Sequence, residues 1–192
     1  MKTLLALLLL IPSLSWGADF EKGSTAYSQG DYATAIKVWT PLAEQGVAPA
    51  QFYLGNMYDI GLGVVQNYKT AMKWYTLAAK QGFAAAQFNL GFMYGNGQGV
   101  LQNYKTAAKW YTLAAEQGHA KAQYNIGYMY VMGQGVIQDN IYAHMWWNIA
   151  ASSGNSKAAE NRTIVEENMT TADISKAQEL ARQCVNKNYK DC

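Results

Sequence analysis

Sliding the sequence against itself by 36 residues lays AQFYLGNMYDIGLGVVQNYKTAMKWYTLAAKQG, from Ala50, almost unchanged on AQFNLGFMYGNGQGVLQNYKTAAKWYTLAAEQG, from Ala86. A third copy, AQYNIGYMYVMGQGVIQDNIYAHMWWNIAASSG, starts at Ala122 and diverges mostly in its second half. Glycines keep the register in three sets: Gly55, Gly91 and Gly127; Gly61, Gly97 and Gly133; Gly82, Gly118 and Gly154. A unit this short cannot bury its own apolar face, so it must stack on its copies, and a period in this range signals a solenoid. Upstream, AYSQGDYATAIKVWTPLAEQG fits the same frame from Asp31 onward with five fewer residues in its turn, which makes it a shortened first repeat.

Each unit reads as two antiparallel helices. In the first, Ala50, Leu54, Met57 and Tyr58 fall on one face of a 3.6-residue period. The second begins after Asn67, a good N-cap, with Asp31, Asn103 and Asp139 in the same column. It ends near Gly82, where a C-terminal glycine relieves left-handed backbone strain. Ala71, Trp74, Tyr75 and Ala78 are expected to turn back onto the first helix, and the recurring Trp74, Trp110 and Trp146 to be core. Gly55 in mid-helix costs about 1 kcal/mol of helix propensity, so its recurrence predicts two helix backbones in close approach. After Gly154 the period fades into two more helices, broken at Met169 to Thr171, whose second starts with a capping-box pair of Thr170 and Asp173. The expected divisions are a partial repeat over 18–49, full repeats over 50–85, 86–121 and 122–157, and a helical cap over 158–192.

The first 17 residues differ in kind. Lys2, the apolar run Leu4 to Ile11, and Ser15 and Gly17 flanking Trp16 read as a secretory signal cleaved before Ala18. The run breaks at Pro12, too short for an uncleaved anchor, and no cysteine near Ala18 offers a lipid attachment site. A periplasmic or secreted chain with no membrane anchor after cleavage is expected. Cys184 and Cys192 are the only cysteines, and in such a compartment a bridge between them is the economical reading, with two free thiols as the alternative. In a continuous helix their alpha carbons would lie about 12 Å apart, so a bridge requires the chain to turn back after Cys184.

The pattern A-x-x-x-[LI]-G-x-M-Y-x-x-G-x-G-V-x-Q-[DN]-x-x-x-A-x-x-W, followed by A-A-x-x-G, resembles the Sel-one-like repeat, a relative of the tetratricopeptide. The resemblance covers about residues 50 to 157. It implies an all-α fold, a right-handed superhelical solenoid of helix-turn-helix repeats that serves as a scaffold for protein contacts. One branch of that family carries a C-x7-C pair in every repeat and is associated with weak penicillin binding. Cys184 and Cys192 share that spacing but lie in the cap, and the repeats hold no cysteine.

Columns that recur identically are explained by architecture, so a binding surface is sought where the copies differ. Opposite the core, the first helices carry Phe52, Asn56 and Asp59; Phe88, Phe92 and Asn96; Tyr124, Tyr128 and Met132. By analogy with tetratricopeptides this face lines a concave groove, where aromatic anchors and an adaptable methionine grip a partner protein's helix or peptide. The competing reading for Phe52, Phe88 and Tyr124 is packing between successive first helices.

Little else points to chemistry. His119 and His144 lack metal-ligand company, and no nucleophile with a partnered base is visible, so no catalytic residue, metal or cofactor is expected. Glu166 and Glu167 read as a solvated patch, and Gly61 and Gly63 as turn residues rather than a phosphate loop. With 15 Lys+Arg against 13 Asp+Glu and no clustered basic surface, nucleic acid is not an expected partner. The reading is a non-enzymatic exported scaffold for protein-protein interaction. Its alternatives are a cell-wall-related or weak beta-lactam-binding hydrolase, and a binder of peptidoglycan or polysaccharide. The oligomeric state is left open.

Overall fold

The computed structural model describes residues 13–192. Most of the leader therefore lies outside the described residues. Those described form ten helices and no strand: α1 (Ser13–Ser28), α2 (Tyr32–Glu44), α3 (Ala48–Ile60), α4 (Tyr68–Lys80), α5 (Ala84–Asn96), α6 (Tyr104–Ala115), α7 (Ala120–Met132), α8 (Asn140–Ser152), α9 (Ser156–Glu166) and α10 (Thr171–Asn186). The first eight pack as four consecutive pairs, and the second helix of each pair also packs on the first helix of the next. The result is an all-α repeat solenoid.

Each pair closes through one aromatic ring seated on a glycine. Trp39, Tyr75, Tyr111 and Trp147 share a column of the second helices and are buried. A methyl group added at Gly55 would lie 2.7 Å from the Tyr75 ring, and one at Gly91 2.6 Å from Tyr111. Carbon atoms do not approach so closely, so a side chain there would force the helices apart. The close approach expected between two backbones is thus one between a backbone and a ring. In the outer pairs, where tryptophan takes the position, its indole also finds an acceptor: Trp39 Nε1 donates to the Phe20 carbonyl at 3.2 Å and Trp147 Nε1 to that of Tyr124 at 3.0 Å.

Caps set the helix limits. The side chains of Asp31, Asn67, Asn103 and Asp139 each accept from a backbone N–H in the first turn of α2, α4, α6 and α8. Gly61, Gly97 and Gly133 end α3, α5 and α7 with φ of 75°, 70° and 62°, the left-handed geometry that lets the chain reverse toward the second helix. In the first pair the turn is four residues shorter than in the others, not five. Gly23 stands 32 residues before Gly55, while Asp31 stands 36 before Asn67.

The joints between repeats are polar at their centre. Gln51, Gln87 and Gln123 are buried, and each side-chain amide donates to a carbonyl of the preceding second helix, that of Ala43, Ala79 and Ala115 at 2.9, 3.1 and 3.2 Å. Gln81 and Gln117 complete the first two, donating to Gln51 Oε1 at 2.8 Å and Gln87 Oε1 at 2.6 Å. In the third joint the corresponding residue is Ser153, too short to reach, and Gln123 Oε1 is buried without a partner.

The aromatic columns are not uniform. Trp146 is buried, whereas Trp74 and Trp110 are partly exposed and lie against the core of the preceding repeat. The difference comes from the C-terminal cap. Both α9 and α10 pack on α8, and Ala181, Cys184 and Leu180 of α10 join the cluster that holds Trp146 and Ile149. The capping box at Thr170 and Asp173 is complete. Beyond α10 the chain turns back through Asn188, Tyr189 and Asp191, all with positive φ. The reversal brings Cys184 and Cys192 into a disulfide with alpha carbons 5.2 Å apart, and Tyr189 against the turn at Gly118.

The incomplete third joint makes a prediction. Ser153→Gln should satisfy Gln123 Oε1 and raise stability by about 0.5–1.5 kcal/mol, read as a higher melting temperature. An unchanged or lowered melt would show that the joint does not hold a missing hydrogen bond.

Candidate functional site

The residues expected to face a groove fall into three groups. Phe52, Phe88 and Tyr124 are partly buried between helices. Phe52 meets Tyr53, Tyr75 and Phe83 with ring centroids 5.1 to 5.9 Å apart. Phe88 stacks on His119 at 4.7 Å, and Tyr124 lies near Trp147 while its hydroxyl accepts from Asn161 at 3.2 Å. Asn56 and Asp59 are engaged with tyrosines of other helices: Asn56 Oδ1 accepts from the Tyr27 hydroxyl at 3.4 Å and Asp59 Oδ2 from that of Tyr75 at 3.3 Å. Burial raises the Asp59 carboxyl above its ordinary range, and the Tyr75 bond only partly opposes that.

The third group is open. Phe92 and Tyr128 are each 44% exposed, Met132 is 52% exposed, and Asn96 is exposed with its amide donating to the Phe92 carbonyl at 2.8 Å. Phe92, Asn96 and Tyr128 line one hollow of about 320 Å³ between α5, α6 and α7. Its remaining walls include Tyr111, Asn125, Tyr104, Gln102 and Gln134, which sequence reasoning did not single out. Desolvation pushes the Tyr111 hydroxyl up to about 12, while Asn125 acts in the opposite direction. That hydroxyl therefore stays protonated at physiological pH and remains a hydrogen-bond donor on the hollow's floor. Asn89 and Asn125 stand in the column that holds Tyr53 in the first full repeat, a polar-for-aromatic change that was the available signal.

The Sel1 repeat family matches residues 48–83, 84–119 and 120–155. The chain belongs to the Sel1 repeat family. Each matched Sel1 unit holds one helix pair, α3–α4, α5–α6 and α7–α8, starting two residues before the frame read from the repeat alone. Among solved structures, it is similar to a Sel1 repeat protein from Oxalobacter formigenes, with 34% identity, a TM-score of 0.75, and coverage of 88% of this chain and 70% of that one. It is also similar to c5321, a protective antigen of uropathogenic Escherichia coli strains displaying an SLR fold, at 30% identity and a TM-score of 0.55. That match covers 91% of this chain but 47% of c5321, so this Sel1 chain spans about half its length. No curated protein matches the chain.

Outside the hollow, this Sel1 chain buries one histidine. His144 has no exposed side-chain surface, and its Nε2 lies 2.7 Å from Glu166 Oε1 on α9. Glu166 is thus the partner of a buried ring, held also by Arg162 at 3.6 Å, and not half of a solvated pair with Glu167. Arg162 in turn donates to Asn148 of α8 at 2.8 Å. With no exposed atom, the imidazole cannot touch a substrate, and its role is to join α8 to the cap.

Burial, helped by the Arg162 charge, pulls the His144 pKa below its ordinary 6.5 against the opposing Glu166 contact, and burial beside Lys121 does the same to His119. The folded state therefore binds fewer protons than the unfolded chain just below that value. Stability from both histidines is complete above pH 6.5 and is lost as pH falls through 6.5 toward the lower folded values. Urea midpoints should fall on acidification through that window, and the double change His119→Gln, His144→Gln should flatten the slope there. An equal slope in the double variant would assign the pH dependence to other groups.

Proposed function

We propose that this chain is an exported, non-catalytic scaffold that holds another protein in the concave groove formed by its first helices. The observation that carries this reading is the hollow between α5, α6 and α7. Half-exposed Phe92 and Tyr128 line it together with Asn96, Gln102, Asn125 and the Tyr111 hydroxyl. Rings give apolar anchorage, and amide and hydroxyl groups pair with a peptide backbone. Met132 extends the apolar rim, while Phe52, Phe88 and Tyr124 hold the first helices in place from behind. Asn56 and Asp59, tied to tyrosine hydroxyls, fix the floor of the first full repeat.

Phe92→Ala with Tyr128→Ala should leave the fold unchanged, because both side chains are half exposed. Capture of cross-linked envelope partners should fall at least about tenfold, as expected for loss of two aromatic anchors. Undiminished capture by the folded double variant would remove the groove from the account.

Export is supported by the leader pattern and by the disulfide, which fits an oxidising compartment. Among the described residues no helix is long and apolar enough to cross a membrane. Cleavage after Gly17 removes Trp16, which lies partly buried against the core of the first pair, and leaves Phe20 and Tyr27 to cover Trp39. The intact mass of protein from the envelope fraction should correspond to a chain starting at Ala18. A full-length mass would overturn the cleavage.

A further inference from the structure

The turns between paired helices carry a feature that neither stacking nor the groove uses. Val65, Leu101 and Ile137 occupy one column of three successive turns and are 89%, 89% and 90% exposed. Their neighbours Val64, Val100 and Val136 are partly buried, so the turn's own packing is met without them. A single exposed aliphatic residue is ordinary, but three at one repeat position are brought by the stack into a row along a single edge.

The same edge is cationic. Lys69 and Lys73 on α4, and Lys105 and Lys109 on α6, are exposed, and each pair shares a helix face at i and i+4. Neither α4 nor α6 contains an aspartate or glutamate, and none of the four lysines enters a salt bridge among the described residues. With a net charge of only +2, the molecule owes this to local placement and not to an overall excess. Backbone contacts bring row and lysines together. The turn holding Leu101 lies on the start of α4, Gly99 against Tyr68, and the turn holding Ile137 lies on the start of α6, Gly135 against Tyr104 and Lys105.

Between α6 and that last turn runs an apolar slot of about 470 Å³, with Ala108, Leu113 and Val136 in its walls and Lys105 and Lys109 beside them. It exists because Ala108 stands where the neighbouring repeats have Met72 and His144.

We propose that this edge docks on an anionic phospholipid surface. Val65, Leu101 and Ile137 enter the acyl boundary, and Lys69, Lys73, Lys105 and Lys109 face the phosphates. Aliphatic side chains flanked by lysines without carboxylate partners, Lys73 lying over the Trp74 ring at 5.4 Å, are the composition of a peripheral membrane face. A fluid bilayer admits three separate projecting side chains whatever their spacing, whereas a protein partner needs a matching pocket for each. The hollow at Phe92 and Tyr128 plays no part in this contact, so the two surfaces are tested separately.

The purified chain is sedimented with vesicles of phosphatidylcholine and phosphatidylglycerol in equal amounts, and with vesicles of phosphatidylcholine alone. Binding is expected to the anionic vesicles and to weaken with salt. Val65→Ser, Leu101→Ser and Ile137→Ser together should weaken it at least about tenfold. Glutamine at Lys69, Lys73, Lys105 and Lys109 should weaken it about a thousandfold, while Phe92→Ala with Tyr128→Ala should bind as the parent does. All substituted side chains at this edge are exposed, and an unchanged melting temperature checks that both variants fold. Absence of binding to the anionic vesicles, equal binding to neutral ones, or full binding by either edge variant would overturn the proposal.

Discussion

The contact on which everything else rests is an aromatic ring lying flat on a glycine. At Gly55 under Tyr75 and Gly91 under Tyr111, no methyl group has room. The missing side chain lets the second helix come down onto the first, and the ring supplies the apolar area that the glycine lacks. A mid-helix glycine costs helix propensity, and the buried ring offsets that cost in every pair. Since the same contact recurs in each unit, each presents nearly the same surface to the next.

Between units a different kind of bond takes over. Gln51, Gln87 and Gln123 carry buried amides across each joint, each giving a second donor to a helix-end carbonyl that already accepts from the backbone N–H of Gly46, Gly82 or Gly118. Rings thus define the hairpin and amides define its register on the neighbour. With both jobs done by repeated columns, the positions free to vary are few, and they concentrate on the open face of the first helices and in the exposed turns. The hollow lined by Phe92 and Tyr128 sits where such variation has replaced Asn56 by aromatic residues.

The helix pairs, their caps and the bridging cysteines were legible in the sequence because each has a local signature: glycine spacing, Asn or Asp before an amphipathic run, and an even cysteine count. The first helix of the shortened pair was harder to see. Its turn lacks four residues, and little beyond Phe20 and Gly23 keeps the column identities. The glutamine joints were present as an unbroken column of Gln51, Gln87 and Gln123, but a polar residue beside an apolar stripe carries no sign of burial until two helices are placed across it. The His144–Glu166 contact spans two helices with no shared period, so no spacing rule reaches it. For the site, exposure separated Phe92 and Tyr128 from Phe88 and Tyr124. That distinction depends on neighbours such as His119 and Asn161, which come from other parts of the chain.

The covalent loop at the C-terminus gives the molecule a direction. Stacked repeats loosen from their ends, because a terminal unit has a neighbour on one side only. Here one end is sewn: Cys192 is tied back to Cys184, Tyr189 rests on the turn at Gly118, and α10 lies along α8. In the first pair α1 is held on α2 by Phe20, Gly23 and Tyr27 around Trp39, with no cysteine to tie it. Of the two ends, the α1–α2 pair is the one that can open without breaking a covalent bond. The hollow between α5 and α7 lies nearer the sewn end, so the first hairpin can fray and reseal while those three helices stay in register.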